Sequence, residues 1–308
     1  MERKLWMGWA GPIGPECLGQ RRSHWRFLAA LCLTLGIFLA LRPAQADSPP
    51  LRIASINVCA DQLLLALADP DQIATLSIFA ADAGLSFLAE AAKRFPHKAA
   101  SAESVIGFRP DLVLAGSFTK LATRQILRRL GFSVLELQPV RSVESSLAEI
   151  RQLAALLGHA DRGEKLIAEI EAAQREAVSA GNAGNRPSVA VYQRRGYVTG
   201  GNTLTGDLMA IAGFFNQGAS LAGRTGGFVP LEKLLTAPPD LLLVNSPSPS
   251  AQDEGSALLS HPALLALFPP ERRIVVPDRL TVCGGPSLPD SLRHFAAEAR
   301  RVQNLSRS

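Results

Sequence analysis

The stretch SVESSLAEIRQLAALLGHADRGEKLIAEIEAAQREAVSA, residues 142–180, organises the rest of the chain. Apolar residues recur in it at the spacing of an amphipathic helix, and charged residues fill the other positions. The pattern pauses only at Gly158 and His159, so it predicts one long helix with a hinge at Gly158. The Gly- and Asn-rich residues 181–185, followed by Pro187, are typical of a helix end.

Two similar units flank this predicted helix. Glu103 precedes a short apolar segment and then Pro110-Asp111, which opens an apolar strand. Glu232 stands in the same relation to Pro239-Asp240, and in both units the Glu lies eight residues before the Asp. A match of residue types in the same register on both sides predicts two similar lobes, with the helix as their connector.

Residues 1–46 have the pattern of a secretory signal peptide. A basic segment precedes an apolar or small run over 27–41, and Ala44-Gln45-Ala46 provides a small-x-small cleavage site before Asp47. That run of 15 residues is short for a membrane span of about 20 residues. A retained anchor is the alternative, but we expect cleavage near Asp47.

The basic charge of the whole chain is concentrated in this leader. The leader holds six of the 32 Lys and Arg residues and two of the 27 Asp and Glu residues, together with all three Trp and two of the four Cys. The mature chain is therefore nearly neutral, and its charge gives no support for nucleic acid as a partner. It is long enough to bury two cores of ordinary domain size.

Strand and helix patterns alternate on both sides of the connector, which predicts an α/β protein with a parallel sheet in each of two Rossmann-like lobes. We place the N-terminal lobe at 47–141, the connecting helix at 142–181 and the C-terminal lobe at 182–308. In such sheets ligands bind outside the carboxyl ends of the strands. The candidate ligand-binding residues are those of the post-strand loops: Asn57, Cys59, Asp61, Phe79, Ser117, Phe118, Arg194, Arg195, Tyr197, Arg224 and Cys283.

Three arginines among these candidates suggest an anion clamp. Guanidinium groups match the geometry of carboxylate and phosphate, so Arg194, Arg195 and Arg224 would bind an anionic ligand, although a solvated rim is an equal alternative. Asp61 fits either a ligand contact or a helix N-cap, and the cap is the favoured interpretation.

The two cysteines of the mature chain, Cys59 and Cys283, each follow a strand in a different lobe. A disulfide between them requires Cα atoms within about 7 Å and an oxidising compartment. An inter-lobe disulfide and two separate thiols remain equal alternatives.

Motifs for catalysis and for metal binding are absent from the sequence. It contains no phosphate-binding loop, no nucleophile elbow and no C-x-x-C pair. The mature histidines fall outside the predicted cleft loops, and no two of them share a helix face, whereas a transition-metal site needs three or four converging ligands. We therefore expect no catalysis, no metal ligands and no cofactor. The histidines are His97, His159, His261 and His294.

The chain resembles the periplasmic substrate-binding proteins of iron-siderophore, haem and vitamin B12 ABC importers, in which one backbone helix joins two lobes. The resemblance rests on residues 52–57, on the unit 103–114, on the long helix and on Gly-Gly-Phe-Val-Pro-Leu-Glu at 226–232. It implies a periplasmic protein that carries a metal chelate to a membrane permease and its ATPase. One Glu at the tip of each lobe pairs with permease arginines in that family, and Glu103 and Glu232 occupy the matching positions. The alternative is a Glu favoured by a helix N-terminus.

Corrinoid sites in this family use aromatic residues, often Trp. The mature chain has no Trp, and its cleft loops offer arginines and few aromatics, which favours an anionic ferric chelate such as a ferric siderophore over a corrinoid. A chelatase-like enzyme of related fold is the second hypothesis, but it would be cytosolic and would need catalytic groups in the cleft. A zinc or manganese carrier would need histidines after the strands, where Asn57, Ser117 and Tyr197 stand instead.

Overall fold

The computed structural model describes residues 51–182, 186–245 and 257–305, so the predicted signal peptide lies outside the described residues. Within those ranges no helix combines the length and the apolar character needed to cross a membrane. The first lobe contains a five-stranded parallel sheet with the order β3-β2-β1-β4-β5. Its strands are β1 (Ile53–Ser55), β2 (Ile73–Ser77), β3 (His97–Lys98), β4 (Leu112–Gly116) and β5 (Ser133–Leu137). Its helices are α1 (Val58–Leu67), α2 (Ala89–Ala92), α3 (Ala102–Ile106) and α4 (Leu121–Arg129).

Two helices follow the first lobe, α5 (Val143–Leu157) and α6 (Ala160–Gly181). The second lobe has a parallel sheet with the order β11-β10-β6-β8 and a separate antiparallel pair, β7 with β9. Its strands are β6 (Ser188–Val191), β7 (Tyr197–Val198), β8 (Phe215–Asn216), β9 (Gly227–Phe228), β10 (Leu241–Asn245) and β11 (Arg273–Val276). Its helices are α7 (Leu204–Ile211), α8 (Gly218–Ala222), α9 (Leu231–Thr236), α10 (Pro262–Leu267) and α11 (Leu288–Leu305). The predicted α/β architecture with two parallel sheets is confirmed.

The two similar units predicted from the sequence have the same structure in both lobes. The short helices α3 and α9 lead into β4 and β10, respectively. The carboxylate of Asp111 accepts a hydrogen bond from the Arg52 backbone nitrogen at 2.8 Å. In the second lobe Asp240 accepts one from the Ser188 backbone nitrogen, also at 2.8 Å. In each lobe the aspartate of the Pro-Asp pair therefore fastens its own strand to the start of the neighbouring parallel strand.

The predicted interruption at Gly158 is confirmed, but it divides the segment 142–181 into two separate helices instead of bending one long helix. Gly158 has a left-handed φ of +80° and ends α5, and α6 begins two residues later. A Cβ atom built on Gly163 would lie 2.6 Å from the Cβ of Ala154, and Arg151 Nε lies 3.1 Å from Glu164 Oε1. Residues nine apart in a straight helix are separated by about 13 Å, so the chain turns sharply at Gly158 and packs α6 against α5.

Helix α6 is the element that spans the two lobes. At its start, Arg162 Nη2 donates to Asp69 Oδ1 at 2.6 Å, and His159 Nε2 lies 3.0 Å from the other oxygen of the same carboxylate. At its end, Gly181 packs against the backbone of Gly213 in the second lobe, where a Cβ atom would lie 2.7 Å from the Gly213 nitrogen. One end of α6 is therefore fastened to each lobe.

The largest core cluster includes residues of both lobes. It joins apolar residues of α1, α5, α6, α7 and α11 with the strands β1, β2, β6 and β10. Helix α11 packs along α6, where buried Ile170, Ala173 and Ala177 share the cluster with Phe295 and Ala296. Because this core is continuous between the lobes, separating them would expose apolar surface.

We predict that Gly163→Ala lowers the free energy of unfolding by about 1–3 kcal/mol, because its methyl group would overlap the Ala154 methyl group at the contact between α5 and α6. Gly107→Ala is the matched control, since no atom lies within 4 Å of its Cβ position. Urea unfolding of both variants checks the prediction. Equal stability of the Gly163 variant and the wild type would show that the two helices are not in close contact.

The stability of the fold should depend on the ionisation of Glu149. Burial on α5 raises the pKa of this carboxyl from its ordinary value of 4.5 to about 7. Because the folded-state pKa is the higher one, the stabilising contribution is present below pH 4.5 and is lost as the pH rises through 7.

We predict that Glu149→Gln removes this loss of stability between pH 4.5 and 7. The relative gain of the variant at neutral pH should be on the order of 1–2 kcal/mol after allowance for the partly exposed carboxylate. Unfolding free energies measured across this pH range test it, with Glu144→Gln on the exposed face of the same helix as the control. Parallel pH profiles for the wild type and the Glu149 variant would contradict the prediction.

Candidate functional site

The loops at the carboxyl ends of the two sheets meet at one joint. Cys59, in the first turn of α1, and Cys283, beyond β11, form a disulfide with their Cα atoms 5.3 Å apart. Arg141 Nη1, beyond β5, donates to the carbonyl of Asn202 in the second lobe at 3.0 Å. The disulfide left open at the sequence level is therefore formed, and it joins a post-strand loop of one lobe to a post-strand loop of the other.

Glycines make the floor of this cleft. The backbone nitrogen of Gly285 donates to Ser146 Oγ at 2.8 Å, and a Cβ atom on Gly285 would lie 2.9 Å from the side chain of Leu63. A Cβ atom on Gly284 would come within 2.6 Å of the same hydroxyl oxygen. Larger residues at either position would separate α1 and α5 from the second lobe.

Asn57 and Asp61 both have structural partners in the first lobe. The Asn57 side chain caps α1 by accepting hydrogen bonds from the backbone nitrogens of Cys59 and Ala60 at 3.0 and 3.2 Å. The interpretation of Asp61 as the cap is therefore wrong. Asp61 is fully buried and accepts hydrogen bonds from the backbone nitrogen and hydroxyl of Ser77 at 3.0 and 2.5 Å.

Burial raises the pKa of Asp61, and its hydrogen bonds with Ser55 and Ser77 oppose that effect. The side chain ties α1 to the end of β2, and it presents no exposed surface for the ligand contact that the sequence suggested. Cys59 is half-buried, and its sulfur is committed to the disulfide. Asn57, Asp61 and Cys59 therefore each have a structural role in the protein.

The exposed candidates of the first lobe are aromatic. Phe79 follows β2 and is 45% exposed, and Phe118 follows β4 and is 88% exposed. Ser117 is half-buried, and its backbone nitrogen donates to the carbonyl of Leu137 at 3.2 Å. An exposed aromatic ring therefore stands at the carboxyl end of two strands of this sheet.

The second lobe presents its candidates on the segments around β7 and β9. Arg194 and Arg195 are exposed on a single helical turn directly after β6, and Arg195 has a left-handed φ of +58°. Arg224 is exposed, and its backbone carbonyl accepts a hydrogen bond from Asn202 at 3.0 Å. Tyr197 donates its hydroxyl to the carbonyl of Thr225 at 3.1 Å. All three predicted arginines are therefore exposed.

Phe228 is a candidate that the sequence interpretation missed. It is 73% exposed, and its ring packs edge-to-face on Tyr197 with the ring centroids 5.6 Å apart. The antiparallel pairing of β7 with β9 brings the two rings together. The sequence signal for Phe228 was an aromatic residue directly after Gly226-Gly227. Only the pairing of β7 with β9 shows that Tyr197 is its partner.

Three of the histidines have partners outside these loops, whereas His97 lies on β3 and interacts electrostatically with Asp61. His159 contacts Asp69, His261 accepts a hydrogen bond at the start of α10, and His294 contacts the carbonyl of Val275. Across residues 51–182, 186–245 and 257–305, no group of three or more His, Cys, Asp or Glu side chains is placed to hold a metal ion.

Glu103 and Glu232 occupy equivalent exposed positions. Each lies in the first turn of a short helix, α3 or α9, that leads into the strand carrying the Pro-Asp aspartate. Hydrogen bonds from its own backbone and from the Ser101 side chain lower the pKa of Glu103. This carboxylate is therefore ionised at neutral pH.

Comparison with known proteins agrees with this geometry. The chain is 26% identical over 224 residues to a cobalamin-binding protein of Halobacterium salinarum, a match that covers 70% of this chain and 59% of that protein. The chain thus spans less than two thirds of the length of the curated relatives that it matches.

Solved structures share the fold at lower identity. The haem-binding protein RhuT from Roseiflexus sp. RS-1 superposes with a TM-score of 0.66 at 24% identity, covering 82% of this chain and 98% of that chain. The vitamin B12 binding protein BtuF of Vibrio cholerae superposes with a TM-score of 0.63 at 14% identity, covering 83% and 98%. A family model described as periplasmic binding protein matches residues 53–267. The chain therefore belongs to the periplasmic binding protein family and has its two-lobe fold.

Proposed function

We propose that this chain is the substrate-binding component of an ABC importer, that residues 1–46 direct its export to the periplasm, and that it carries a metal chelate between its lobes without catalysis. The observation that carries the proposal is the set of exposed rings and guanidinium groups at the carboxyl ends of both sheets, bordering one cleft. Ligands of open α/β sheets bind at that edge. Family membership supports the same function.

The cargo that we propose first is a corrinoid. Phe79, Phe118, Tyr197 and Phe228 offer ring faces and edges to the methyl-bearing faces of a corrin macrocycle. This set of rings is larger than the sequence interpretation counted, because Phe228 joins it only through the β7–β9 pairing. The curated relatives carry the name cobalamin-binding protein.

An anionic ferric siderophore is the second candidate. Arg194, Arg195 and Arg224 are exposed, and guanidinium groups bind carboxylate or catecholate oxygens in bidentate fashion. The two candidates differ in which side chains matter, since a corrinoid depends on the rings and an anionic chelate depends on the arginines.

We predict that cyanocobalamin binds the exported protein and that Phe228→Ala weakens this binding about 5- to 30-fold, as expected from the loss of 1–2 kcal/mol of ring contact. Phe215→Ala is the matched control, because Phe215 is also exposed but pairs with Ser188 at the opposite, amino end of the sheet. Calorimetric titrations with cyanocobalamin, haemin and a ferric tricatecholate separate the cargo classes.

The same titrations are repeated with the single variants Arg194→Ala, Arg195→Ala and Arg224→Ala. For an anionic chelate at least one of them should lose about 1.5–3 kcal/mol of binding free energy, as for a hydrogen bond to a charged group. Tight binding of the tricatecholate with a large arginine effect would replace the corrinoid by a siderophore. The absence of binding by all three ligands would reject the proposed cargo class.

We also propose that Glu103 and Glu232 dock the protein on its permease. A two-fold permease presents one basic patch to each lobe, so equivalent carboxylates suit it. We predict that Glu103→Arg or Glu232→Arg reduces uptake into vesicles containing the permease and ATPase, and that the double change reduces it further, while calorimetric ligand affinity stays unchanged.

Glu144→Arg, at an exposed position on α5, controls for the charge reversal itself. A loss of helix stabilisation alone would lower the thermal midpoint without impairing transport by the folded protein. Normal uptake with the double reversal would rule out the docking assignment.

A further inference from the structure

The disulfide joins the two lobes directly, whereas α6 connects them along the chain. Cys59 begins α1 in the first lobe, and Cys283 lies between β11 and the turn Gly285–Ser287 in the second, 224 residues away. Helix α6 meanwhile fastens its two ends at Asp69 and at Gly213. The lobes are therefore held by a helical attachment and, separately, by a covalent bond at the cleft floor.

The non-covalent contact beside the disulfide brings backbone and side chains of the two lobes close together. Gly284 and Gly285 approach Ser146 and Leu63 closely because they have no side chains. Among the described residues, three hydrogen bonds join residues 141–146 to the second lobe: Gly285 nitrogen to Ser146 Oγ, Val143 nitrogen to Asp207 Oδ2 and Arg141 Nη1 to the Asn202 carbonyl. The disulfide adds a covalent restraint to these contacts at the joint between the lobes.

The two sulfurs differ in access. Cys59 is half-buried at the edge of the cleft, whereas Cys283 is only 2% exposed. A thiolate arriving from the cleft therefore meets the Cys59 sulfur first. Access to one sulfur is sufficient for thiol–disulfide exchange in the folded state.

We propose that the Cys59–Cys283 disulfide makes the opening of the cleft dependent on redox state. In the oxidised protein the floor of the cleft is fixed and the lobes move little. In the reduced protein the lobes are held by α6 and its packing on α11, and the cleft opens more widely. This inference concerns the joint alone and does not depend on which cargo the cleft binds.

Reduction of the Cys59–Cys283 disulfide requires a dithiol as the reductant. Its thiolate attacks Cys59 Sγ and forms a mixed disulfide, and Cys283 leaves as a thiolate that takes a proton from water. The second thiol of the reductant then displaces Cys59 and closes its own disulfide. Two electrons pass from the dithiol to the protein, which ends with two thiols.

Hydrogen exchange of the exported protein with and without dithiothreitol tests the proposal. Non-reducing mass analysis first verifies the linkage. We expect reduction to raise amide exchange at least about tenfold in the segments 57–63, 140–147 and 280–288, which form the joint, while α3 and α9 stay unchanged. Small-angle scattering should show a larger radius of gyration for the reduced protein.

Reoxidation should restore both the original exchange and the original scattering, and the double variant Cys59→Ser/Cys283→Ser should match the reduced protein without any reductant. If that variant fails to fold, reduction of the folded wild type still decides. Unchanged exchange and scattering after complete reduction would overturn the proposal. A disulfide that dithiothreitol reduces only when the protein unfolds would overturn it equally.

Discussion

The packing of α6 between the two lobes is the constraint on which the rest of the structure depends. The helix buries small and branched apolar residues, among them Ile170, Ala173 and Ala177, against α11 in a core shared by both lobes. Alanines permit a close approach of the two helices, and the fastened ends at Asp69 and Gly213 prevent α6 from sliding. The positions of both sheets follow from this one helix.

Because both sheets are parallel, all their post-strand loops lie at one edge, and α6 brings these two edges to a common cleft. The residues available to a ligand there are rings and guanidinium groups, whereas the carboxylate of Asp61 is used within the wall. In the second lobe only three residues separate Phe228, on β9, from Glu232, at the start of α9. The proposed ligand contact and the proposed permease contact are therefore close neighbours in the chain.

Local sequence patterns predicted much of the fold. The predicted Glu and Pro-Asp units form equivalent helix–strand pairs in both lobes. The short strands β3, β7, β8 and β9 were not predicted, because two residues are too few to show a period. Phe228 was missed as a site residue for this reason.

The sequence by itself determined the two-lobe α/β architecture and the cleft loops, because hydrophobic periodicity, turn residues and an internal repeat are local signals. Only the tertiary structure decided that the chain turns sharply at Gly158, since a glycine can adopt a left-handed backbone conformation but does not have to. It also decided that Cys59 meets Cys283 and that Asp61 binds Ser77 instead of capping α1. Each of these depends on contacts between residues far apart in the chain, which no local pattern contains.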